Sequence, residues 1–246
     1  MARTPVALVT GSTRGIGAQI AIALGHRGVA VIGHGQHDIG NAIGADFFEP
    51  NAPQELWEEA AARAEQAGER IDILVNNAGL YAANRLDSSD IAWLDGWEDT
   101  LRINLTAAAQ LSRFAIRGWL ADGGGGRIVN ISSRAAHRGD SPDHWHYAAA
   151  KAGMVALSKT IARSYAANGV LSFAVCPGYT DTAPKSASGA ADYLATRGGP
   201  RLLREIPLGR VAAAEEIAEI ATFCALDAPA SMTGAVLDAN GASYVR

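Results

Sequence analysis

The chain has 246 residues, of which 48% are hydrophobic and 19% are charged, which is enough for one large α/β domain. A net charge of −4 and a pI of about 5.9 argue against nucleic acid and anionic membranes as main partners. Cys176 and Cys224 are too few for a disulfide framework. Because no apolar run approaches the ~20 residues of a membrane span, and residues 1–5 show no signal-peptide core, we expect a cytoplasmic protein.

Short apolar runs bounded by Gly, Asn, Pro or Thr predict buried strands along the chain. They occupy residues 6–9, 29–32, 71–75, 127–131, 171–176 and 235–237, with a weaker seventh candidate at 45–48. Helical patterns lie between them, at residues 15–26, 53–66, 100–120, 147–167 and 214–226. This alternation predicts a single α/β domain over residues 1–246, a doubly wound (Rossmann) parallel sheet of about seven strands with helices on both faces.

Residues 180–207 break this alternation with a polar segment that contains several glycines and is too long for a plain connector. Long loops in compact domains are often active-site lids. We therefore predict a substrate lid there.

A glycine-rich turn follows the first strand and opens the first helix, and it comprises Gly11, Ser12, Thr13, Arg14, Gly15, Ile16 and Gly17. Its glycines let the backbone approach a pyrophosphate, and the helix N-terminus offers free N–H groups. The first glycine gap is one residue longer than in the usual dinucleotide fingerprint. The turn predicts a dinucleotide site, with a ligand-free strand–helix turn as the alternative.

The end of the second strand bears on the choice of cofactor. An acidic residue there would bind the ribose 2′-hydroxyl and repel a 2′-phosphate, but the chain carries His34 and His37 and has no acid before Asp38. Arg14 in the glycine turn is able to pair with a phosphate. Both points favour NADP(H) over NAD(H). His34 is a candidate cofactor contact, and for both histidines the alternative is a solvated loop residue.

Tyr147 and Lys151 lie four residues apart on a predicted helix, so the phenol and the ammonium project from one face. A phenol has a pKa near ~10 in water, and a nearby cation lowers it. Ser133, fourteen residues before Tyr147, stands at a predicted strand end where its hydroxyl can hold a carbonyl oxygen. Together these groups predict proton transfer to or from a ketone or alcohol oxygen.

With these two sites the chain resembles the short-chain dehydrogenase/reductase family, and within it the 3-oxoacyl carrier-protein reductase type. Further motifs of that family stand in the same order and at similar separations. They are Asn76-Asn77-Ala78-Gly79, Asn104, Pro177-Gly178-Tyr179-Thr180 and the tail from Pro207-Leu208-Gly209-Arg210 to Thr233-Gly234. The likeness covers almost the whole chain.

The resemblance implies a role for each catalytic candidate. Tyr147 would be the general acid/base, and Lys151 would lower its pKa and bind the nicotinamide ribose. Ser133 would orient the substrate oxygen, and Asn104 would position a water in a proton relay through Lys151. Hydride would pass directly between the substrate carbon and the nicotinamide.

The resemblance also implies the remaining cofactor contacts and the assembly. Asn77, Ala78 and Gly79 would line the adenosine ribose side, and Pro177, Gly178 and Thr180 would hold the nicotinamide end. The expected assembly is a homotetramer built across the two long helices predicted at residues 100–120 and 147–167.

Some segments depart from the family pattern. Residues 38–45 are too short for the helix usually found there, Phe47-Phe48-Glu49 replaces the aspartate motif that commonly holds the adenine, and residues 238–242 lack paired glycines. The gap between Ser133 and Tyr147 is one residue longer than usual. These departures affect cofactor preference and pocket shape rather than the class of reaction.

Residues 80–97, residues 134–146 and the lid are the predicted substrate walls, with an apolar pocket around Trp145 for a medium-sized ketone or secondary alcohol. Trp93 and Trp97 have helix packing as their alternative role. His144 and His146 lie two residues apart and lack a third ligand, so no metal is predicted. Two other functions stay open: an NAD-dependent dehydrogenase of a sugar, steroid or aromatic diol, and a catalytically silent nucleotide-binding regulator.

Overall fold

A computed structural model describes residues 3–182 and 199–246. Its strands are β1 (Val6–Val9), β2 (Ala30–Gly35), β3 (Ile43–Gly44), β4 (Ile71–Asn76), β5 (Arg127–Ile131), β6 (Leu171–Pro177), β7 (Thr180–Asp181), β8 (Ala212–Ala213) and β9 (Val236–Ala239). Seven of them form a parallel sheet in the order β3-β2-β1-β4-β5-β6-β9, and β7 pairs in parallel with β8. The predicted seven-stranded parallel sheet is confirmed.

The helices are α1 (Gly15–His26), α2 (Ala52–Gln66), α3 (Asp90–Leu101), α4 (Ala107–Ala121), α5 (Ala135–Arg138), α6 (Trp145–Tyr165), α7 (Gly199–Arg204) and α8 (Ala214–Thr222). A π-helical turn, Arg102–Thr106, joins α3 to α4, and a second one, Phe223–Asp227, continues α8. Short 3-10 turns occupy Ala166–Asn168 and Ala230–Met232. Over the described ranges, no helix combines the length and the apolar character needed to cross a bilayer.

Alternating strand residues bury opposite faces of the sheet in two cores. Leu8 and Leu74 pack with residues of α2, α4 and α6, whereas Val9 and Val75 pack with residues of α1 and α8. All four are completely buried, and each such side chain contributes about 1.5–3 kcal/mol of hydrophobic stabilisation. The two cores fix the sheet between two helical layers.

The strand order reverses between β1 and β4, because β2 lies on one side of β1 and β4 on the other. In open parallel sheets, such a switch point leaves a crevice beyond the carboxyl ends of the strands, where ligands bind. The polar residues that follow β1, β4, β5 and β6 therefore meet at one edge.

The weak strand prediction at residues 45–48 is wrong. The edge strand is β3, two residues earlier, and it pairs with His34 and Gly35 of β2. The Asp46 side chain then accepts a hydrogen bond from the Phe48 backbone N–H (3.1 Å). This local turn ends the strand pairing.

The start predicted for the helix at residues 100–120 is also wrong, because helical structure begins at Asp90. Ser89 caps α3 by accepting a hydrogen bond from the backbone N–H of Ala92 (3.3 Å). Trp93 and Trp97 lie one turn apart on α3 with stacked rings at 5.4 Å, as expected of helix-packing residues.

The predicted lid at residues 180–207 falls largely on residues 183–198, which lie outside the described residues. Its described flanks are β7 and, from α7 onward, residues 199–207. The segment 38–45 contains no helix, as the sequence indicates.

Candidate active site

The four predicted catalytic residues line one cavity of about 250 Å³, although they come from distant parts of the chain. Tyr147 and Lys151 lie on α6, Ser133 follows β5, and Asn104 lies in the π-helical turn after α3. The same cavity is lined by Ile16, Asn77, Gly79, Pro177, Gly178 and Thr180 of the predicted cofactor contacts. The structure thus brings the catalytic set and the predicted nicotinamide end together.

Lys151 is a buried cation at the base of this cavity, with 3% of its surface exposed. Its Nζ donates a hydrogen bond to the Ile131 carbonyl oxygen (2.8 Å) and lies 5.8 Å from the centre of the Tyr147 ring. Burial lowers the pKa of Lys151 to about 8. The fold therefore holds an ammonium group beside the phenol and largely excludes water from it.

An aromatic and acidic wall fixes the Tyr147 ring. Tyr81 contacts it edge to face, with ring centres 4.8 Å apart, and stacks on His144 at 4.0 Å. The Tyr81 hydroxyl donates to Asp140 Oδ1 (3.1 Å), and burial followed by the Asp140 carboxylate raises the pKa of Tyr81. The sequence placed these residues in two wall segments, but nothing in it indicated that they pair.

Ser133 keeps its hydroxyl proton available for a ligand. Its Oγ accepts a hydrogen bond from the Ala135 backbone N–H (3.1 Å), which orients the oxygen and leaves the O–H as a donor. The preceding Ser132 instead donates to the Lys151 carbonyl oxygen (2.8 Å). Ser132 therefore ties the end of β5 to α6.

Asn104 is fully buried and its amide is bonded to the protein backbone. Its Nδ2 donates to the carbonyl oxygens of Leu80 (2.9 Å) and Thr100 (3.0 Å), and its Oδ1 accepts from the Leu80 N–H (3.2 Å). Thr100 lies in the last turn of α3, directly before the π-helical turn. Asn104 thereby stabilises the π-helical turn and anchors to it the backbone of Leu80, where the predicted substrate wall begins.

The glycine turn has the geometry of an anion-binding helix start. Gly11 and Gly15 adopt φ values of +63° and +56°, which favour glycine. A Cβ at Gly17 would overlap the Gly11 carbonyl oxygen. Arg14, the N-cap of α1, makes no side-chain cap, so the first N–H groups of the helix are open to a ligand. These features fit a dinucleotide pyrophosphate, with Ser12, Thr13 and Ile16 completing the turn.

His34 lies beneath the glycine turn and is 3% exposed. Its Nδ1 accepts from the Gly11 N–H (3.1 Å), and its Nε2 donates to the Ala45 carbonyl oxygen (2.8 Å). Its ring stacks on Phe47 at 4.4 Å, and burial lowers its pKa. The alternative of a solvated loop residue is wrong for His34, because the protein itself occupies both ring nitrogens. His34 supports the turn, and its expected direct contact with the cofactor would require those bonds to break.

The Asn77–Gly79 segment is bonded to the start of the glycine turn. Asn77 Nδ2 donates to the carbonyl oxygens of Thr10 (2.9 Å) and Gly11 (3.1 Å), and the Ala78 N–H donates to Thr10 Oγ1 (2.9 Å). A Cβ at Gly79 would lie 2.8 Å from Asn104 Oδ1. The segment therefore joins the glycine turn to the π-helical turn that contains Asn104.

Within residues 3–182 and 199–246, one cluster of ligand-type side chains lies outside this cavity. The potential ligand atoms of His137, Cys176 and Asp238 lie within 4.8 Å of one another. Asp238 is already ion-paired with Arg246 (2.9 Å). We assign this cluster no metal.

A parallel sheet with a nucleotide-binding turn at its switch point, facing a phenol–ammonium pair, defines a nucleotide-dependent oxidoreductase. Residues 11–241 match the family model described as enoyl-(acyl carrier protein) reductase. The chain therefore belongs to the short-chain dehydrogenase/reductase family, and it is an NAD(P)-dependent oxidoreductase.

The chain is similar to several named proteins along nearly its full length. The 3-oxoacyl-(acyl-carrier-protein) reductase FabG of Vibrio cholerae is 34% identical, over 98% of this chain and 97% of the relative. The cis-4-hydroxycyclohexanecarboxylate dehydrogenase of Sinomonas cyclohexanicum is 36% identical, over 96% of this chain and 95% of the relative. A solved structure from Agrobacterium tumefaciens is described as a candidate 2-deoxy-D-gluconate 3-dehydrogenase with bound NADP. It has a TM-score of 0.82 and 30% sequence identity, and the match covers 98% of this chain and 97% of that structure's chain.

Proposed function

We propose that the protein is a ketoreductase that transfers a hydride between NADP(H) and a ketone or secondary alcohol. The observation that carries this proposal is the shared cavity, which joins Ser133, Tyr147 and Lys151 to Gly178 and Thr180. A reacting carbon–oxygen bond in that space would be within reach of both the acid/base group and the nicotinamide end. One dinucleotide-binding and catalytic domain is sufficient for this reaction.

The side chains would move the proton. When bound, the nicotinamide supplies or accepts the hydride. Ser133 donates its hydroxyl proton in a hydrogen bond to the substrate oxygen, and Tyr147 gives that oxygen a proton during reduction. The ammonium of Lys151 stabilises the resulting phenolate, since the buried pair is poorly screened by water. In this proposal Asn104 supports a relay that returns the proton through Lys151.

Preference for NADP(H) rests on the residues around the end of β2. Asp38 is the first acidic residue there. Its Oδ1 accepts a hydrogen bond from the Gly44 N–H (2.7 Å), so the carboxylate is bonded to its own loop. Arg14 is exposed beside the glycine turn and can meet a 2′-phosphate. The similar structure with bound NADP supports the same choice. The alternative is NAD(H), with a sugar, steroid or aromatic diol as substrate.

The substrate is proposed to be a small-molecule carbonyl compound or alcohol, without nucleic acid or membrane as a partner. The two curated relatives are named for carbonyl or hydroxyl chemistry. In the pocket predicted around Trp145, this residue is 52% exposed, and its ring packs edge-on to that of Trp93 at 6.2 Å. The lid part of that pocket falls on residues outside the described ranges.

A homotetramer in the cytoplasm is the proposed assembly and location. Both cysteines of the chain are free and buried, which suits a reducing compartment. The tetramer rests on family likeness.

The test is a spectrophotometric screen of wild-type protein with NADPH and NADH against ketones and, with the oxidised cofactors, against secondary alcohols. We expect turnover of at least one carbonyl class and a higher kcat/KM with NADPH. A large preference for NADH would favour the alternative dehydrogenase. Tight cofactor binding without turnover of any substrate would favour the catalytically silent regulator.

A further inference from the structure

Arg134 is a buried guanidinium immediately after Ser133. The residue is only 5% exposed, and its backbone N–H is tied to the Pro177 carbonyl oxygen (2.9 Å). Its guanidinium lies over the Tyr179 ring, 4.1 Å from the ring centre. The bond to Pro177 and the contact with Tyr179 thus hold Arg134 at the catalytic end of the sheet.

The guanidinium has unused hydrogen-bonding capacity. Its buried Nη1 makes no hydrogen bond to any residue that the structure describes. The nearest described carboxylate is that of Glu205, whose Oε2 lies 3.9 Å from Nη2, beyond hydrogen-bond distance. Glu205 is 44% exposed and so partly solvated. Leaving donors of a buried cation unpaired is costly, so this site is set up to receive an anion.

Among the residues that the structure describes, Arg134 is the cation of this cavity that keeps an unpaired donor. Burial, and then the neighbouring Arg138, lower the pKa of Arg134, yet a guanidinium stays protonated in proteins. Asp140 also lines the cavity, but its carboxylate accepts from the Tyr81 hydroxyl (3.1 Å) and the Ser141 N–H (2.7 Å). Lys151 is bonded to the Ile131 carbonyl oxygen.

Arg134 and its stacking partner Tyr179 line the same cavity as Ser133 and Tyr147. An anionic group paired with Arg134 would therefore belong to the molecule whose carbonyl meets the catalytic hydroxyls. The described residues leave a cavity of about 250 Å³, which must also take the nicotinamide end. This space suits a compact substrate.

We propose that Arg134 is an anion subsite and that the substrate is a compact keto acid, or the matching hydroxy acid, whose carboxylate pairs with this guanidinium. The inference rests on the proposed ketoreductase function. In reduction the ketone carbon gains the hydride of NADPH, its oxygen gains the Tyr147 proton, and the carboxylate is unchanged. Tyr147 then recovers a proton from solvent.

The test compares matched pairs, each a keto acid and its neutral primary amide, beginning with acetoacetate and acetoacetamide and extending to longer and cyclic pairs. For wild-type protein we expect a higher kcat/KM for the acid of at least one pair. Arg134→Gln should lower the acid-to-amide ratio by at least ~30-fold, as expected when one partner of a buried charge pair is lost. Arg134→Lys should restore part of the ratio.

Arg138→Gln is the matched control, because it removes an exposed arginine from helix α5, whose N-cap residue is Arg134. It should leave the ratio within ~3-fold of wild type, as a surface charge contributes little. An acid-to-amide ratio near one for wild type across all pairs, or an unchanged ratio in Arg134→Gln, overturns the proposal.

A binding experiment on wild-type protein separates this proposal from the proposed reaction. Calorimetry of the NADP⁺-loaded protein should show tighter binding of cyclohexanecarboxylate than of cyclohexanecarboxamide. Equal binding of the two overturns the subsite. Preferential carboxylate binding without turnover of any carbonyl would support the subsite while the proposed reaction failed.

Discussion

The buried ammonium of Lys151 should reduce the stability of the free protein. Its pKa is about 8 in the fold, against 10.5 as the ordinary value. Below pH 8 the lysine is protonated in both states, so the full burial cost of about 3 kcal/mol is present. Between pH 8 and 10.5 the unfolded chain binds more protons, and native stability rises with pH.

Lys151→Met should therefore increase the free energy of unfolding near pH 7 by about 1–3 kcal/mol, less than the full burial cost because the bond to Ile131 is lost. The gain should shrink as pH rises past 8. Urea denaturation of the cofactor-free protein at several pH values measures both effects. Lys159→Met, at an exposed position of the same helix, is the control. A loss of stability in Lys151→Met near neutral pH would contradict the assignment of Lys151 as a costly buried cation.

At the residue scale, the sequence predicted those features that depend on local spacing. The four-residue separation of Tyr147 and Lys151 places both on one helix face, and the structure shows both at the same cavity. The partners of Asn104 and the burial of His34 and Arg134 depend on contacts between distant segments. No local pattern carries that information.

Gly17 and Gly25 of helix α1 have opposite roles. A Cβ at Gly17 would overlap the Gly11 carbonyl and the Asn77 side chain, whereas a Cβ at Gly25 meets nothing within 4 Å. We expect Gly17→Ala to destabilise the protein by about 1–3 kcal/mol, and to weaken cofactor binding at least ~10-fold through displacement of the turn. Thermal unfolding and fluorescence titration with NADPH measure these effects.

Gly25→Ala on the same helix serves as the matched control. It should stabilise the protein by about 0.5–1 kcal/mol, because alanine loses less backbone entropy on folding, and it should leave NADPH affinity unchanged. Equal cofactor affinity in the two variants would refute the close backbone approach assigned to Gly17.

At the element scale, the sequence predicted buried strands better than surface helices. The strands β1 and β5 match their predicted bounds because both are rich in apolar residues that are buried on the two faces of the sheet. Helix α3 was missed since Ile91 and Leu94 are exposed, at 76% and 50%, and give no apolar stripe toward the core. Its Ser89 cap was the available signal.

At the scale of the whole molecule, exposed apolar side chains are consistent with an assembly. Ile91 and Leu94 on α3 and Leu120 on α4 are each at least 40% exposed. If the proposed homotetramer forms, sedimentation should show a species about four times the 25.5 kDa mass of the chain. A lone species of chain mass at working concentration would rule the tetramer out.

The order of motifs along the chain predicted the fold and the family, because strand ends separated in sequence meet at one edge of a parallel sheet. The order of motifs did not predict the class of substrate. The walls of the site depend on pairing between residues 80–97 and 134–146, as the contact between Tyr81 and His144 shows. The charge character of the cavity became apparent only from the burial of Arg134.

The most direct test of the account is NADPH oxidation by Tyr147→Phe with the best carbonyl substrate of the wild-type protein. Turnover should fall at least ~100-fold through loss of the general acid, while the dissociation constant for NADPH stays close to that of wild type. Tyr165→Phe, at the other end of the same helix, should behave like wild type. Near-normal turnover in Tyr147→Phe would contradict the proposed mechanism.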